Sequence, residues 1–370
     1  MTATNPIWRP AAALGMQSTA MPARVDVAVI GAGIIGLTAM HHLVHAGADA
    51  ALVEAGQPGS GASITGSGVV GWARTVAEPG DIDPRASGFP DLAGALAGAQ
   101  SWFAAFMDDI GLQADLQIPG SVRVTGPRDP GSLGTVHPGL LVNALTAAIL
   151  DSGGAVAVDE PLRSVSRHTG GYQLLTSRRK ISATDVIIAT GASPGPHPLS
   201  ELQKRYRMYR GRCVVARTDQ ELLDQFIPAG RTTHIPSTEI VVARRAGNDS
   251  VLVWFPDLHK RLAALDPASL LAGTVPELHN AAVTHDWRDH YAATFDGLPR
   301  IGRINSMWYA GGAADPALGA MLGHHVASLT TGSIGSSPFA EIPHSYALTA
   351  RLRARAQSTR RRSARTNLSG

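Results

Sequence analysis

The chain has little of what stabilises small secreted domains or holds proteins in a membrane. Its single cysteine excludes an intramolecular disulfide framework and any Cys-based zinc or cluster site, which favours a reducing compartment, the cytoplasm. No 18 apolar residues run together, so we expect no membrane insertion. Because Arg9 and Pro10 interrupt the most apolar part of the stretch before Arg24, we expect no signal peptide.

Charged residues make up only 16% of the sequence and are unevenly placed. Residues 351–370 contain seven Arg and no acid, so the net charge of +3 becomes −4 without them. A slightly acidic body offers no basic face for phosphate contacts, and we expect no nucleic-acid partner. Since the Arg-rich end has no apolar face to bury, the sequence predicts a disordered basic tail over 346–370.

Apolar residues are abundant, at 44%, and so is glycine, with 40 in 370 residues. The first strongly patterned segment runs from Val25 to Glu54 and is typical of a strand, a glycine turn, a helix and a second strand. Gly31, Gly33 and Gly36 form GxGxxG at the turn. In this context the glycines allow a tight turn, the close approach of a pyrophosphate and close helix packing, which predicts a dinucleotide site.

Glu54, at the end of the second strand, indicates which dinucleotide the turn would bind. Its carboxylate suits the hydroxyls of an adenosine ribose, which disfavours NADP and leaves NAD and FAD open. An NAD-dependent dehydrogenase would continue with further strand–helix units. Here a Gly/Ser loop at 58–71, a helix at 91–110 and strand-rich residues 206–217 and 239–255 intervene, and this interleaving favours FAD.

Further elements follow from hydrophobic period and turn residues. One helix is predicted from about Pro138 to Asp151, and Asp315 with Pro316 begins a last helix that reaches about Thr331. The remaining predicted strands span residues 121–124, 155–158, 162–167, 172–177, 185–190 and 307–312.

Five motifs in order carry a family resemblance. They are VIGAGIIG with Glu54, GSGAS at 59–63, TVHPGLLVNAL at 135–145, DVIIATG at 185–191, and DGLPRIG at 296–302 followed by YAGG. Over about residues 25–332 the chain resembles the D-amino-acid oxidase superfamily, in particular glycine oxidase and sarcosine oxidase. The resemblance implies an FAD-dependent enzyme that oxidises a C–N bond of a small amine or amino acid by hydride transfer to the flavin.

The predicted fold class is α/β, with a doubly wound, Rossmann-like FAD-binding domain and an interleaved antiparallel-sheet substrate domain. We expect the FAD-binding domain to comprise residues 24–90, 136–200 and 291–345, and the substrate domain to comprise 91–135 and 201–290.

The resemblance also implies which residues contact the cofactor. Residues on the ADP and ribityl side are Gly31, Gly33, Ile34, Ile35, Gly36, Glu54, Ala55, Ala62 and Ser63. Those nearer the isoalloxazine or in the later motifs are Ser67, Gly68, Gly191, Gly311, Gly312 and Asp315.

Three departures from the family pattern bear on the substrate. Tyr291, three residues before Thr294, stands where the glycine-oxidase-like pattern has a carboxylate-binding Arg, and a Tyr cannot neutralise a carboxylate. The flavin loop has Ala313 to Pro316 after its two glycines, where relatives have a Gly/Ser/His/Asn-type loop. The turn-rich stretch TGPRDPGSLG before Thr135 replaces a helical insertion of relatives.

Tyr291, Arg244 and Asp315 are the leading candidates for a role in catalysis. Arg244 is favoured because relatives also have an Arg at that point of the hairpin. Asp315 is interpreted first as a helix N-cap, and the second hypothesis is that the dipole of its helix stabilises the reduced flavin. Other substrate-facing candidates, each more simply explained as a sheet or surface residue, are Tyr206, Arg210, Trp254, His285 and Arg288.

Several alternatives stay open at this point. The chain could be a non-catalytic or partner-dependent FAD-binding subunit, or an NAD-dependent dehydrogenase, and self-association is undecided. His41 and His45 are interpreted as surface histidines and not as a metal site, and Cys213 as a buried structural thiol and not a flavin tether. The substrate, the electron acceptor and the linkage of the flavin are not specified by the sequence.

Overall fold

The computed structural model describes residues 5–8, 16–71, 90–112, 114–118, 133–193, 195–227, 232–235, 241–255, 263–294, 297–313 and 315–340. The predicted strand at 121–124 and the predicted basic tail at 346–370 lie outside these residues. Within them there are fifteen strands and seven α-helices.

In chain order the strands are β1 (Arg24–Ile30), β2 (Ala50–Val53), β3 (Val69–Val70), β4 (Gly134–Thr135), β5 (Ala155–Ala157), β6 (Leu162–His168), β7 (Gly171–Thr176), β8 (Lys180–Ile188), β9 (Tyr206–Arg217), β10 (Thr232–Ile235), β11 (Val241–Arg245), β12 (Ser250–Phe255), β13 (Ala282–Thr294), β14 (Arg300–Ile304) and β15 (Met307–Gly311). The helices are α1 (Ile34–His45), α2 (Ala62–Thr65), α3 (Pro90–Asp109), α4 (Pro138–Asp151), α5 (Gln220–Phe226), α6 (Pro267–Thr274) and α7 (Pro316–Thr331).

The larger sheet has eight strands, and its main path runs β14-β15-β8-β1-β2-β5. β1 pairs in parallel with β2 and β8, and β15 joins the end of β8 in parallel, while the β6–β7 hairpin joins the first half of β8. Buried parallel strands must present apolar side chains to both faces. Val27 and Val29 accordingly pack with α1, and Ala28 and Ile30 pack into the core on the opposite face.

Helices α1 and α7 lie against each other with their N-termini at the same end of the sheet. Glycines on α7 permit the close approach: a Cβ on Gly319 would lie 3.4 Å from Ile34 Cγ2, and one on Gly323 only 2.4 Å from the carbonyl oxygen of Ile35. The two helix N-termini therefore face the same space beside the sheet.

Helix α3 packs on the outer side of this helix pair through its aromatic residues. The Phe106 ring meets the His41 ring edge-on at 5.9 Å, and the Trp102 ring lies 5.5 Å from that of His324. His41 is buried beneath α3, so its prediction as a surface histidine is wrong, because the apolar stripe of α3 covers it. In the described part of the chain, no group of three or more His, Cys, Asp or Glu could hold a metal ion.

The second sheet is antiparallel, with the order β10-β11-β12-β9-β13. Since side chains alternate along a strand, the sheet has two distinct faces. Val214 and Val253 lie on one face and form a core with α5 and α6. The other face carries Cys213, Trp254 and Trp287, which belong to the same core as β1 and α1. We call this face the inner face, because it packs into the core that also contains β1 and α1.

The predicted α/β fold class, with a mixed sheet and a separate antiparallel sheet, is confirmed. The domain boundaries stay a prediction, and α3, expected in the substrate domain, packs on α7. Helix α2 and strand β3 lie in the segment 58–71 that was predicted as a loop. No helix in the described ranges is both long and apolar enough to cross a membrane.

Candidate functional site

The turn between β1 and α1 requires glycine for steric reasons. Gly31 has φ +103°, and a Cβ there would lie 2.6 Å from the carbonyl oxygen of Ala189, just after β8. A Cβ on Gly36 would lie 1.8 Å from the carbonyl oxygen of Gly31. Side chains at either position would push the helix off the sheet, so the glycines hold the start of α1 at the sheet's edge.

The N-terminus of α1 has the chemistry of an anion site. Its N-cap, Gly33, provides no side-chain cap, and the N–H of Ile34 donates to Ser63 Oγ at 2.9 Å. A Cβ on Gly33 would lie 3.1 Å from that hydroxyl. The positive end of the helix dipole thus lies beside a glycine and a hydroxyl, a combination that suits a pyrophosphate.

Glu54 is held beside the glycine turn by backbone N–H groups. Its Oε2 accepts from Ala32 N at 2.7 Å and its Oε1 accepts from Gly56 N at 2.9 Å. A carboxylate has about four acceptor sites, so two remain for ribose hydroxyls. Turn, helix end and carboxylate together fit the ADP half of NAD or of FAD.

The structure brings most of the predicted cofactor residues to this edge of the larger sheet. Gly31, Gly33, Ile34, Ile35 and Gly36 form the turn and the start of α1, Glu54 and Ala55 follow β2, Ala62 and Ser63 begin α2, Ser67 and Gly68 precede β3, Gly191 follows β8, and Gly311 and Gly312 precede α7. Their contact with a cofactor stays a prediction.

Residues 64–68, here called the 64–68 segment, are held by tryptophans from distant parts of the chain. Trp8 Nε1 donates to the carbonyl oxygen of Ile64 at 2.6 Å, and Trp287 Nε1 donates to that of Thr65 at 2.8 Å. The two indole rings meet edge-on at 5.6 Å. The sequence analysis missed Trp8, which precedes every patterned segment and gives no local signal.

Arg244 also holds the 64–68 segment. Its Nη1 donates to the carbonyl oxygens of Ser67 at 3.1 Å, Gly68 at 3.4 Å and Val136 at 2.9 Å. The side chain is 7% exposed, and burial lowers the pKa of the Arg244 guanidinium to about 10. Among the described residues Arg244 makes no ion pair. A direct contact between Arg244 and a substrate therefore stays a prediction, while its role in holding the segment is visible.

Tyr291 lies on the inner face of the antiparallel sheet in a group that we call the aromatic cluster, Tyr209, Trp254 and Tyr291. The rings of Tyr209 and Tyr291 are stacked at 5.0 Å with an interplanar angle of 3°, and the Trp254 ring lies 6.2 Å from Tyr291. Tyr291, at the position where the family pattern has a carboxylate-binding Arg, is thus a buried phenol stacked on a half-buried one.

Asp289 is a buried carboxylate that the sequence analysis missed. Its Oδ1 accepts from Thr65 Oγ1 at 2.9 Å and its Oδ2 accepts from Trp254 Nε1 at 3.1 Å. The residue is 1% exposed, and burial raises the pKa of the Asp289 carboxyl to about 6. The signal available was the two-residue period of β13, which puts Trp287, Asp289 and Tyr291 on one face.

Asp315 is the N-cap of α7, as predicted. Its Oδ1 accepts from Ala317 N at 2.8 Å and from Leu318 N at 3.4 Å, and its Oδ2 accepts from Gly71 N at 2.6 Å. The carboxylate therefore joins the start of α7 to the residues after β3. An effect of the α7 dipole on the flavin stays a prediction.

The other candidates are distributed over both faces of the antiparallel sheet. Arg210 and Arg288 are exposed on the outer face, and Arg288 donates to the carbonyl oxygen of Ala263 at 2.8 Å. Tyr206 is buried, and its hydroxyl lies where a Cβ on Gly311 would come within 2.5 Å. Cys213 is buried, as expected, with its Sγ 3.7 Å from the carbonyl oxygen of Thr65, and burial raises the pKa of its thiol.

Solved structures share this fold across almost the whole chain. Glycine oxidase from Geobacillus kaustophilus matches with a TM-score of 0.68 at 19% identity, covering 87% of this chain and 100% of that one. L-proline dehydrogenase from P. horikoshii matches with a TM-score of 0.65 at 14% identity, covering 86% and 96%. An L-amino acid deaminase from Proteus vulgaris, with its specific insertion deleted, gives 0.64 at 14% identity, covering 88% and 96%. No curated protein matches by sequence.

The family model described as DAO, FAD dependent oxidoreductase, matches residues 26–133 and 126–331, which is most of the chain. The match includes the glycine turn, Glu54 and the inner face of the antiparallel sheet. It decides the choice between NAD and FAD, and the NAD-dependent alternative is wrong. The chain belongs to the DAO family of FAD-dependent oxidoreductases, and its cofactor is FAD.

Proposed function

We propose that this oxidoreductase oxidises a C–N bond in a small amine or amino acid by hydride transfer to FAD. The observation that carries the proposal is the packing of the inner face of the antiparallel sheet directly onto the 64–68 segment, through Trp287, Asp289 and Arg244. Proteins with this fold are named glycine oxidase, L-proline dehydrogenase and L-amino acid deaminase, which supports a nitrogen-bearing substrate.

In this proposal the predicted cofactor residues bind different parts of FAD. Glu54 accepts from the ribose, Gly33, Ile34 and Ser63 bind the pyrophosphate, and Ser67 and Gly68 border the isoalloxazine. FAD, when bound, supplies the acceptor for the hydride. The protein then has to exclude water, keep the amine neutral and hold the substrate C–H within about 3.5 Å of that acceptor.

The aromatic cluster supports amines over glycine as substrates. Tyr291 provides no positive charge for a substrate carboxylate, and Arg244 already donates to three backbone carbonyls. Buried aromatic rings exclude water and suit an uncharged amine or an alkyl substituent. Such a site needs no covalent nucleophile, and none is required for hydride transfer from a carbon next to nitrogen.

The proposal is tested by anaerobic bleaching of the flavin absorbance in the purified chain. The panel consists of glycine, sarcosine, larger D- and L-amino acids, simple amines and 2-hydroxy acids. We expect reduction by one or more amines or substituted amino acids and slow reduction by glycine. Rapid reduction by glycine would contradict the argument from Tyr291, and reduction by hydroxy acids alone would contradict C–N oxidation. Turnover by the isolated chain would eliminate the partner-dependent alternative.

A further inference from the structure

Asp289 joins two parts of the molecule that border the proposed active site. One carboxylate oxygen accepts from Thr65, the last residue of α2 and part of the 64–68 segment, and the other accepts from Trp254 in the aromatic cluster. We propose that Asp289 is a positioning residue that, as the ionised carboxylate, fixes the 64–68 segment relative to the aromatic cluster. The inference rests on the proposed function in that this segment is taken to border the flavin.

The hydrogen-bond pattern favours the ionised form. Both oxygens of Asp289 are acceptors, for the Thr65 hydroxyl at 2.9 Å and for the Trp254 indole at 3.1 Å. Trp254 Nε1 is a donor only, but the Thr65 hydroxyl also accepts when its own hydrogen turns to the carbonyl oxygen of Gly61 at 3.3 Å. Protonation of Asp289 therefore reverses the Thr65 contact and replaces two charge-assisted hydrogen bonds by weaker neutral ones.

The surroundings of Asp289 do not neutralise it. Among the described residues it makes no ion pair, although it is 1% exposed. The Cys213 thiol on β9 interacts electrostatically with Asp289, and Tyr291 follows Asp289 on the same face of β13. Arg244 on β11 acts on Cys213, and α2, with the sequence ASIT, has no titratable group. Burying a carboxylate without a cation is unfavourable by itself. The two hydrogen bonds that Asp289 accepts, from Thr65 and Trp254, therefore explain its presence better than packing does.

The same environment makes the link sensitive to pH near neutrality. Burial raises the pKa of Asp289 to about 6, against the opposing effect of the hydrogen bonds from Thr65 and Trp254. Burial also raises the pKa of Cys213, so that thiol stays protonated in the same range. The contacts of Asp289 should thus be charge-assisted above about pH 6 and weaker below it.

Two indole N–H groups report on the two sides of this link without any need for the flavin. Trp254 Nε1 donates to Asp289 itself, and Trp287 Nε1 donates to the carbonyl oxygen of Thr65. We therefore propose to follow both indole N–H resonances by NMR from pH 5 to 8 in the purified protein, and to record the visible absorbance of bound FAD over the same range.

In the wild type we expect both indole resonances and the flavin spectrum to change with one midpoint near pH 6. Asp289→Asn keeps the size of the side chain but can accept from only one donor, and it should abolish the transition. Thr65→Val removes a donor that favours the charged form and should raise the midpoint by about one pH unit. Asp249→Asn, at the exposed end of the same sheet, is the matched control and should leave the midpoint unchanged.

The proposal is overturned if the transition persists in Asp289→Asn, or if no resonance titrates. It is also overturned if Trp254 titrates and Trp287 does not, because the link would then fail to reach the 64–68 segment. Should Asp289→Asn not fold, an unshifted midpoint of the Trp287 resonance in Thr65→Val and in Trp254→Phe decides against it. A protein that retains no FAD contradicts the proposed function, while the indole titrations still decide the role of Asp289.

Discussion

Glu54 and Gly33 lie side by side at the edge of the larger sheet where we expect FAD to bind. Glu54 acts there through its charge, and Gly33 through the absence of a side chain. In Glu54→Gln, the amide nitrogen would face the N–H of Ala32 or Gly56, both of which now donate to the carboxylate. In Gly33→Val, the side chain would crowd Ser63 Oγ, which would lie 3.1 Å from its Cβ. We expect Glu54→Gln to lose most of its bound FAD, since a charge-assisted hydrogen bond contributes roughly 1.5 to 3 kcal/mol. We expect the same of Gly33→Val, because the added side chain would occupy the space of the pyrophosphate.

The measurement is the ratio of flavin absorbance to protein after gel filtration. Gly98→Val on α3 is the control for Gly33→Val, because nothing lies within 4 Å of a Cβ at that position. Full flavin content in Glu54→Gln or in Gly33→Val would show that the substituted residue does not bind FAD.

Arg244 has a structural function that a lysine replaces only in part. One guanidinium nitrogen serves the carbonyl oxygens of Ser67, Gly68 and Val136, and a Met side chain of similar length would leave them without this donor. We expect Arg244→Met to lower the free energy of unfolding by roughly 2 to 3 kcal/mol, and Arg244→Lys to recover part of the loss. Urea denaturation measures both. Unchanged stability with a raised KM only for carboxylate-bearing substrates would instead assign Arg244 to substrate binding.

At the scale of elements, the junction of α1, α3 and α7 contains half-buried or buried imidazoles. Burial first, and then neighbouring histidines, lowers the pKa of His41 and of His324 from 6.5 to about 4. Between pH 6.5 and 4 the unfolded chain therefore binds protons at these two histidines and the folded chain does not. Their contribution to the free energy of unfolding is fully present above pH 6.5 and is lost as the pH falls through this range.

Asp289 acts in the opposite direction, because its pKa is raised to about 6 and the folded state binds that proton first. With two strongly lowered histidines against one raised carboxyl, we expect a net loss of stability on acidification from pH 7 to 4.5. His41→Gln combined with His324→Gln should reduce the loss by about 1 to 2 kcal/mol. Denaturant unfolding at several pH values measures it, with the exposed His279→Gln as control, and an unchanged pH dependence in the double variant would contradict this account.

At the scale of the whole molecule, local pattern predicted the elements, and long-range packing decided the site. The glycine turn, the last helix and its Asp315 cap depend on residues a few positions apart, so the sequence alone indicated them. The contacts of Asp289 and Trp287 with Thr65 join residues more than 200 positions apart. Nothing in a single strand shows what its inner face will meet, which is why the contacts of Arg244 with the 64–68 segment, and Asp289 itself, were missed.

The start of the chain is also part of the site's support. Trp8 is 3% exposed, its indole donates to Ile64, its ring lies edge-on to Trp287, and the Arg244 guanidinium lies 5.5 Å over it. Since it contacts both the 64–68 segment and the antiparallel sheet, its loss should loosen the contact between them as well as leave a cavity.

We therefore expect Trp8→Ala to lower the free energy of unfolding by about 3 kcal/mol or more and to reduce flavin retention, although Trp8 is far in sequence from every cofactor motif. Trp8→Phe keeps most of the packing and loses the indole donor, so its loss should be nearer 1 kcal/mol. Trp308→Phe, at a half-buried tryptophan on β15 beside Arg303, is the matched control. If Trp8→Ala unfolds at the same denaturant concentration as the wild type, the N-terminal residues do not support the site, and only the contacts from β11 and β13 hold the 64–68 segment in place.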